Sequence, residues 1–308
     1  MKKTSPAKIN VFLSVIRKRT DGYNEIETIF LPLKNPSDTV TLTDSKDGKL
    51  DVTCSVSALS GPDNICHKAA TAFAKSAGIR PSWKIHIQKN IPVAAGLGGG
   101  SSDAAAVLKL LQKKYPRMIS ETGIIRLASE TGADVPFFLN PVPSSARGIG
   151  ERLKPLDVKC EIPIVIVFPK FPVSAKWAYQ NRIKSDNRIK SEEMVSALRG
   201  DDLRKISSLL RNDLALALWK KFPVLCILKD ALLKSGSLGV EVSGSGSSLF
   251  AIAKSAKSAE RIVRAVNKRF GESIECFSTN SLNVQENFSV PEKLTRKIRN
   301  RNFPERKI

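Results

Sequence analysis

Between Ala7 and Val15 apolar and polar residues take turns. Ile9, Val11, Leu13 and Val15 fall on one face of an extended segment, and Lys8, Asn10 and Ser14 on the other. A lysine and an asparagine two apart on one strand face do not make a core pattern. Thr20 to Tyr23 (T-D-G-Y) reads as a turn, and strand-like runs follow at Glu25–Leu31, Thr39–Leu42 and Asp51–Ser55. The period then becomes helical over Asn64–Ser76, where Ile65, Ala69, Ala72 and Phe73 form one stripe and Gly78 ends it. Trp83–Gln88 alternates again and leads into a glycine-rich loop, after which Ser102–Lys113 and Gly123–Glu130 predict helices. A second unit begins near Ile162, with strands at 162–168, 239–243, 249–253 and 273–277, helical segments within 191–218 and a helix at 256–270. Strands and helices mixed in this way predict an α+β chain of two domains, 1–158 and 159–308, joined near Pro155.

Composition changes this picture little. At 308 residues and 42% hydrophobic the chain can bury a full core, and no run approaches the ~20 apolar residues of a membrane span. The first six residues lack a secretory apolar core, so a cytoplasmic protein is expected. Five cysteines are scattered without a C-x-x-C pair, and His67 and His86 lie far from them, so neither a disulfide frame nor a metal site is expected. The net charge of +21 admits a nucleic-acid binder or an enzyme of polyanionic substrates. Its densest stretch is the tail from Lys293, with seven Lys or Arg and one Glu.

The candidate chemistry is concentrated in Pro92-Val93-Ala94-Ala95-Gly96-Leu97-Gly98-Gly99-Gly100-Ser101-Ser102. Glycines let a backbone turn its N–H groups onto a ligand, and the helix that follows offers its positive end to an anion. Ser101 and Ser102 are candidate hydroxyl donors to the same anion. No Gly-Lys-Ser/Thr follows, which excludes a P-loop, and counting from Gly96 places Ser101 where a dinucleotide fingerprint needs its third glycine. The alternative, a ligand-free connector, is disfavoured by four glycines and two serines at one helix start.

Three separated blocks resemble the signature motifs of the GHMP kinases: Ser5-Pro6-Ala7-Lys8-Ile9-Asn10, Pro92–Ser102, and Val242-Ser243-Gly244-Ser245-Gly246-Ser247. A fourth, Gly132-Ala133-Asp134-Val135-Pro136-Phe137, and the Asp21–Tyr23 turn are similar to members acting on a cytidine diphosphate substrate. The resemblance runs from about Ser5 to Asn283. It implies an S5-like N-terminal domain, a ferredoxin-like C-terminal domain, and an active site in the cleft between them. It also implies transfer of phosphate from ATP, with Mg²⁺, to the 2-hydroxyl of 4-diphosphocytidyl-2-C-methyl-D-erythritol.

Carried onto this chain, the resemblance makes Asp134 the base that takes the hydroxyl proton and Lys8 its paired cation. By residue type alone Asp134 could instead cap a helix, and Lys8 could face solvent. Asn10 is implied to hold the substrate or Asp134. Tyr23 and Tyr179 match the aromatic residues that enclose the cytosine ring, and a flat base suits stacking. Asn64 matches a residue facing adenine, with the Lys89 backbone beside it. Two departures fall on the acceptor side: Asn24 stands where the family usually has histidine, and Ala175 where a hydroxyl residue is expected. Asn24 can replace histidine if the backbone there reads the cytosine edge. Other readings are a mevalonate- or homoserine-like acceptor and an RNA-binding S5-like module. The latter lacks an RRM-type aromatic signature, so nucleic acid is not the expected partner.

Overall fold

The computed structural model describes residues 1–158, 161–184 and 189–283; the basic tail from Lys293 and Cys160 lie outside the described residues. The first half is built on two long antiparallel strands, β1 (Lys2–Lys18) and β2 (Asn24–Asp44), with β3 (Asp51–Cys54) following. Helix α1 (Ile65–Ala77), β4 (Trp83–Gln88), α2 (Gly99–Lys114), α3 (Glu121–Thr131) and the short α4 (Val135–Leu139) come next. A hairpin of β5 (Ser144–Gly148) and β6 (Arg152–Pro155) completes this half. The second half runs β7 (Pro163–Phe168), α5 (Ala175–Gln180), α6 (Ser191–Arg199), α7 (Leu203–Ser208), β8 (Arg211–Asn212) and α8 (Ala215–Lys221). It closes with α9 (Pro223–Lys234), β9 (Gly239–Val242), β10 (Leu249–Ile252), α10 (Ala256–Phe270) and β11 (Glu275–Asn280).

One sheet has the order β3-β4-β2-β1-β8, with β5 paired to β2 and β6 to β5; the other is β11-β7-β10-β9. Strand β8 reaches across the expected boundary near residue 158 and pairs in parallel with Phe12 and Leu13 of β1. No helix among the described residues is long and apolar enough to cross a membrane.

Several expectations need correction. The runs 25–31 and 39–42 are one strand, β2. Pro32 and Pro36 fall between those runs, and proline cannot donate to a ladder. They lie where the β1–β2 register slips, Pro6 facing Ser37 and Lys8 facing Pro32, so residues 33–36 bulge out and the strand continues. Strand β1 is not amphipathic: every residue from Ala7 to Val15 is buried. Ile9 and Val11 join one core cluster, while Leu13 and Val15 join another beneath the second sheet. Helix α2 begins at Gly99, three residues before the expected Ser102. The last strand is 275–280 and not 273–277.

Candidate functional site

Lys8 is 4% exposed although it carries a charge, so its burial must be matched. Its Nζ donates to Asn10 Oδ1 at 2.7 Å and lies 3.3 Å from Asp134 Oδ2. Asn10 in turn donates to Thr28 Oγ1, whose hydroxyl donates to the Phe12 carbonyl. Asn10 therefore aims the lysine, and its expected contact with Asp134 does not occur. Solvent-facing Lys8 is excluded. Asp134 sits at the head of α4 but makes no side-chain cap bond, so the capping role is excluded too.

The glycine loop is held by its carbonyls. Ala94 O accepts from Val173 N–H, Ala95 O from Ser248 N–H, Gly96 O from the Ser243 hydroxyl, Leu97 O from Lys8 N–H and Gly98 O from Ser102 N–H. Five successive acceptors are thus turned into the protein. Gly96 and Gly98 have φ of 78° and 75°, in the left-handed region that glycine enters freely. A Cβ on Gly98 would lie 2.8 Å from the Phe138 ring and 3.1 Å from Lys8 Cε, and one on Gly244 would lie 3.5 Å from Lys8 Nζ. The three motifs therefore meet around the lysine. Asn212 fixes the third of them by donating to the carbonyls of Val242 and Gly244.

In front of the loop is a cavity of about 460 Å³ lined by Pro92 to Ser101, Asn64, Lys89 and Asp103. Its floor is the first turn of α2, and its size and that helix N-terminus suit a nucleotide phosphate chain. Ser102, offered above as a phosphate ligand, does not line it. Neighbouring helix positions point about 100° apart, and this hydroxyl is buried on another face of α2. Asn64 lines the cavity with its amide engaged at both ends: it accepts from Cys66 N–H and donates to Leu59 O, capping α1. The Lys89 backbone N–H is likewise taken by Ser55 Oγ.

The Lys89 side chain, absent from the sequence reading, anchors the loop from below. Its ammonium lies between Asp38 and Asp103, at 2.8 Å from the latter, and Asp38 also accepts from the N–H groups of Asn90 and Ile91. Burial alone would push the ammonium down; the two carboxylates more than reverse that. Burial, with Asp38 adding to it, pushes the Asp103 carboxyl up from 3.8 to about 7 against the pull of Lys89. A carboxyl with a raised folded value binds more protons folded than unfolded, so its contribution to stability falls as pH rises from about 4 to about 7. Over that range Asp103→Asn is expected to gain in melting temperature relative to wild type. A difference independent of pH would refute the titration.

On the acceptor side, Tyr179 of α5 packs against the core beneath the second sheet, where burial, and then the Asp134 carboxylate, push its phenol up. Tyr23 is 59% exposed at the β1–β2 turn, where its N–H donates to Asp21 Oδ1. The two rings are not in contact with each other. Asn24 opens β2 opposite Lys18, and Ala175 begins α5 without a hydroxyl. The β5–β6 turn was not foreseen. A Cβ on its Gly150 would lie 3.6 Å from Asp134 Oδ1 and 3.9 Å from Ile26 Cδ1, so the turn walls the carboxylate. Only its Gly-rich sequence, R-G-I-G-E, hinted at a close approach.

Comparison with known proteins agrees with this geometry. Residues 64–140 match the family described as GHMP kinases N terminal domain, and 194–272 match GHMP kinases C terminal. A protein named 4-diphosphocytidyl-2-C-methyl-D-erythritol kinase from Nitratidesulfovibrio vulgaris is 34% identical over 260 residues, 83% of this chain and 91% of that one. One of the same name from Chloroherpeton thalassium is 35% identical over 273 residues, 87% and 94% of the two chains. A crystal structure of 4-(cytidine 5'-diphospho)-2C-methyl-D-erythritol kinase superposes with a TM-score of 0.77 at 33% identity, covering 91% of this chain and 99% of that chain. A homoserine kinase from Cytophaga hutchinsonii shares the fold, with a TM-score of 0.74 at 21% identity over 92% of this chain and 94% of that chain.

Proposed function

Because the chain belongs to the GHMP kinases, we propose that it transfers the γ-phosphoryl group of ATP to the 2-hydroxyl of 4-diphosphocytidyl-2-C-methyl-D-erythritol. The observation that carries this reading is the buried Lys8 ammonium, 3.3 Å from Asp134 and packed against the loop glycine Gly98. The acceptor hydroxyl gives its proton to Asp134, and its oxygen bonds to the γ-phosphorus. The bond from that phosphorus to the β–γ bridging oxygen breaks, and ADP leaves. Lys8 stands where negative charge collects during transfer, held in place by Asn10. Loop amides receive the phosphates, since the loop carbonyls are engaged behind them.

Mg²⁺ would neutralise phosphate charge in this reaction. No group of three or more His, Cys, Asp or Glu among the described residues could hold it. An ion that rides on the nucleotide's own oxygens, as Mg²⁺ commonly does, needs no such group. The free thiols of Cys54, Cys66, Cys226 and Cys276 suit a cytoplasmic setting.

The test is a purified-protein assay with ATP and three acceptors: the cytidine diphosphate substrate, mevalonate and homoserine. Turnover of the first alone is expected. Faster turnover of either other alcohol overturns the acceptor assignment. Tyr23 provides a finer check, because its exposed ring contributes little to the core. If the ring stacks on cytosine, Tyr23→Ala loses about 1–3 kcal/mol of stacking, roughly a five- to 150-fold weaker acceptor affinity. Tyr23→Phe stays close to wild type, and ATP affinity and melting temperature are unchanged in both. Wild-type acceptor affinity in Tyr23→Ala would sink the stacking role.

A further inference from the structure

The candidate site does not account for the chain's charge of +21, since Lys89 in the cavity and Lys8 beside the loop are each matched by carboxylates. Unmatched cations gather elsewhere. Lys2 and Lys3 at the start of β1 and Lys109 and Lys113 on α2 line two adjoining depressions that share Lys3 and Lys109. The larger, about 400 Å³, runs along the face of α2 that carries Ser102, Ala106 and Lys109, and Lys34 of β2 closes one side. Among the described residues no carboxylate lines either depression. Lys34 is paired with Glu161 at 2.5 Å, whereas Lys3 and Lys109 form no ion pair among the described residues. Burial, and then Lys109 and Lys113, push the Lys3 ammonium down, as expected where like charges collect without a counter-ion.

A second, independent observation comes from Ser102. The residue is 1% exposed, it lines this cavity, and its Oγ has no hydrogen-bond partner among the described residues. Buried hydroxyls are nearly always satisfied, so an orphan lining the same cavity as two ammoniums that form no ion pair among the described residues marks a place for an acceptor. The facing wall is apolar, with Phe138 and Leu282.

We propose that this cavity binds a phosphate-bearing small molecule at a site separate from the nucleotide pocket. Lys3 and Lys109 take the oxyanion, the Ser102 hydroxyl donates to it, and the organic part rests on Phe138 and Leu282.

The test is calorimetric titration of phenyl phosphate and of orthophosphate into the full chain, kept saturated with a non-hydrolysable ATP analogue. One equivalent is expected to bind. The double variant Lys3→Gln/Lys109→Gln should weaken binding by about tenfold or more, the scale of losing charged hydrogen bonds. Lys205→Gln/Lys268→Gln removes the same charge from exposed positions on α7 and α10 and should leave affinity within about twofold, because salt-screened surface charge acts weakly at a distance. Tighter phenyl phosphate than orthophosphate assigns the site to an ester, and equal affinities assign it to the free ion; head-group recognition stands in both. No binding to the analogue-saturated protein, or equal weakening in the two double variants, overturns the proposal. Protection of Lys3 and Lys109 from amine acetylation by phenyl phosphate reads the same site without any variant.

Discussion

Asp134→Asn is expected to lower turnover by roughly 10²- to 10⁴-fold, the range over which a positioned proton acceptor contributes. The amide keeps the shape of the carboxylate but cannot take the acceptor's proton. Asp134 does not line the cavity in front of the glycine loop, so ATP affinity should hold. Lys8 loses its anionic neighbour but keeps Asn10, so the strand should stay ordered. Steady-state rates, calorimetric ATP affinity and melting temperature together check this. Near wild-type turnover would remove Asp134 as the base.

Gly96→Ala is expected to damage both fold and nucleotide binding. An added Cβ would fall 2.1 Å from the Ser243 carbonyl oxygen and 3.0 Å from that of Gly246. Both obstacles are backbone, so one of the two motifs must move. The left-handed backbone at φ 78° adds its own strain for any L side chain, about 1–3 kcal/mol on top of a similar overpacking cost. A fall in melting temperature of roughly 5–15 °C follows, with nucleotide affinity reduced by about tenfold or more once the loop amides lose their aim. Gly236→Ala separates the causes, since it has φ 100° and nothing within 4 Å of an added Cβ. It should show the conformational loss alone and bind nucleotide normally. Equal effects at both positions would show that the contact with Ser243 is unimportant.

The sequence was most readable where chemistry is local. The strand, glycine loop and helix from Trp83 to Lys114 follow from alternation, from glycines and from a helical period, and the structure differs there only in where α2 starts. Lys8 beside Asn10 stood out because two polar groups interrupted an apolar face. The two-domain GHMP kinase fold expected from the motifs is the one found. What stayed hidden depends on distant partners. The Asp38–Lys89–Asp103 cluster joins residues 14 to 65 positions apart, each ordinary on its own. The β5–β6 hairpin has short strands with an arginine-rich edge and no clean alternation. Helix α9 begins at a proline that favours a first helical turn, yet its apolar run reads equally well as a strand. Ser101 and Ser102 looked equivalent until the helix start placed them on different faces.

The loop's five carbonyls take their partners from Lys8, Ser102, Val173, Ser243 and Ser248, and only Ser102 is a near neighbour in the chain. The form of the loop is therefore not stored in the glycine-rich segment. Ordering so many glycines is entropically expensive, and that ordering is supplied by contacts closed over more than 70 residues on either side. The loop carbonyls are all engaged only when β1 and the third motif are docked against it. Isolated as a peptide, residues 83–114 would keep the signature and lose the site, because the amides would be free to turn away and the carbonyls to turn in. The motif written in the sequence is a hinge of permissive residues; the form of the loop belongs to the long-range topology.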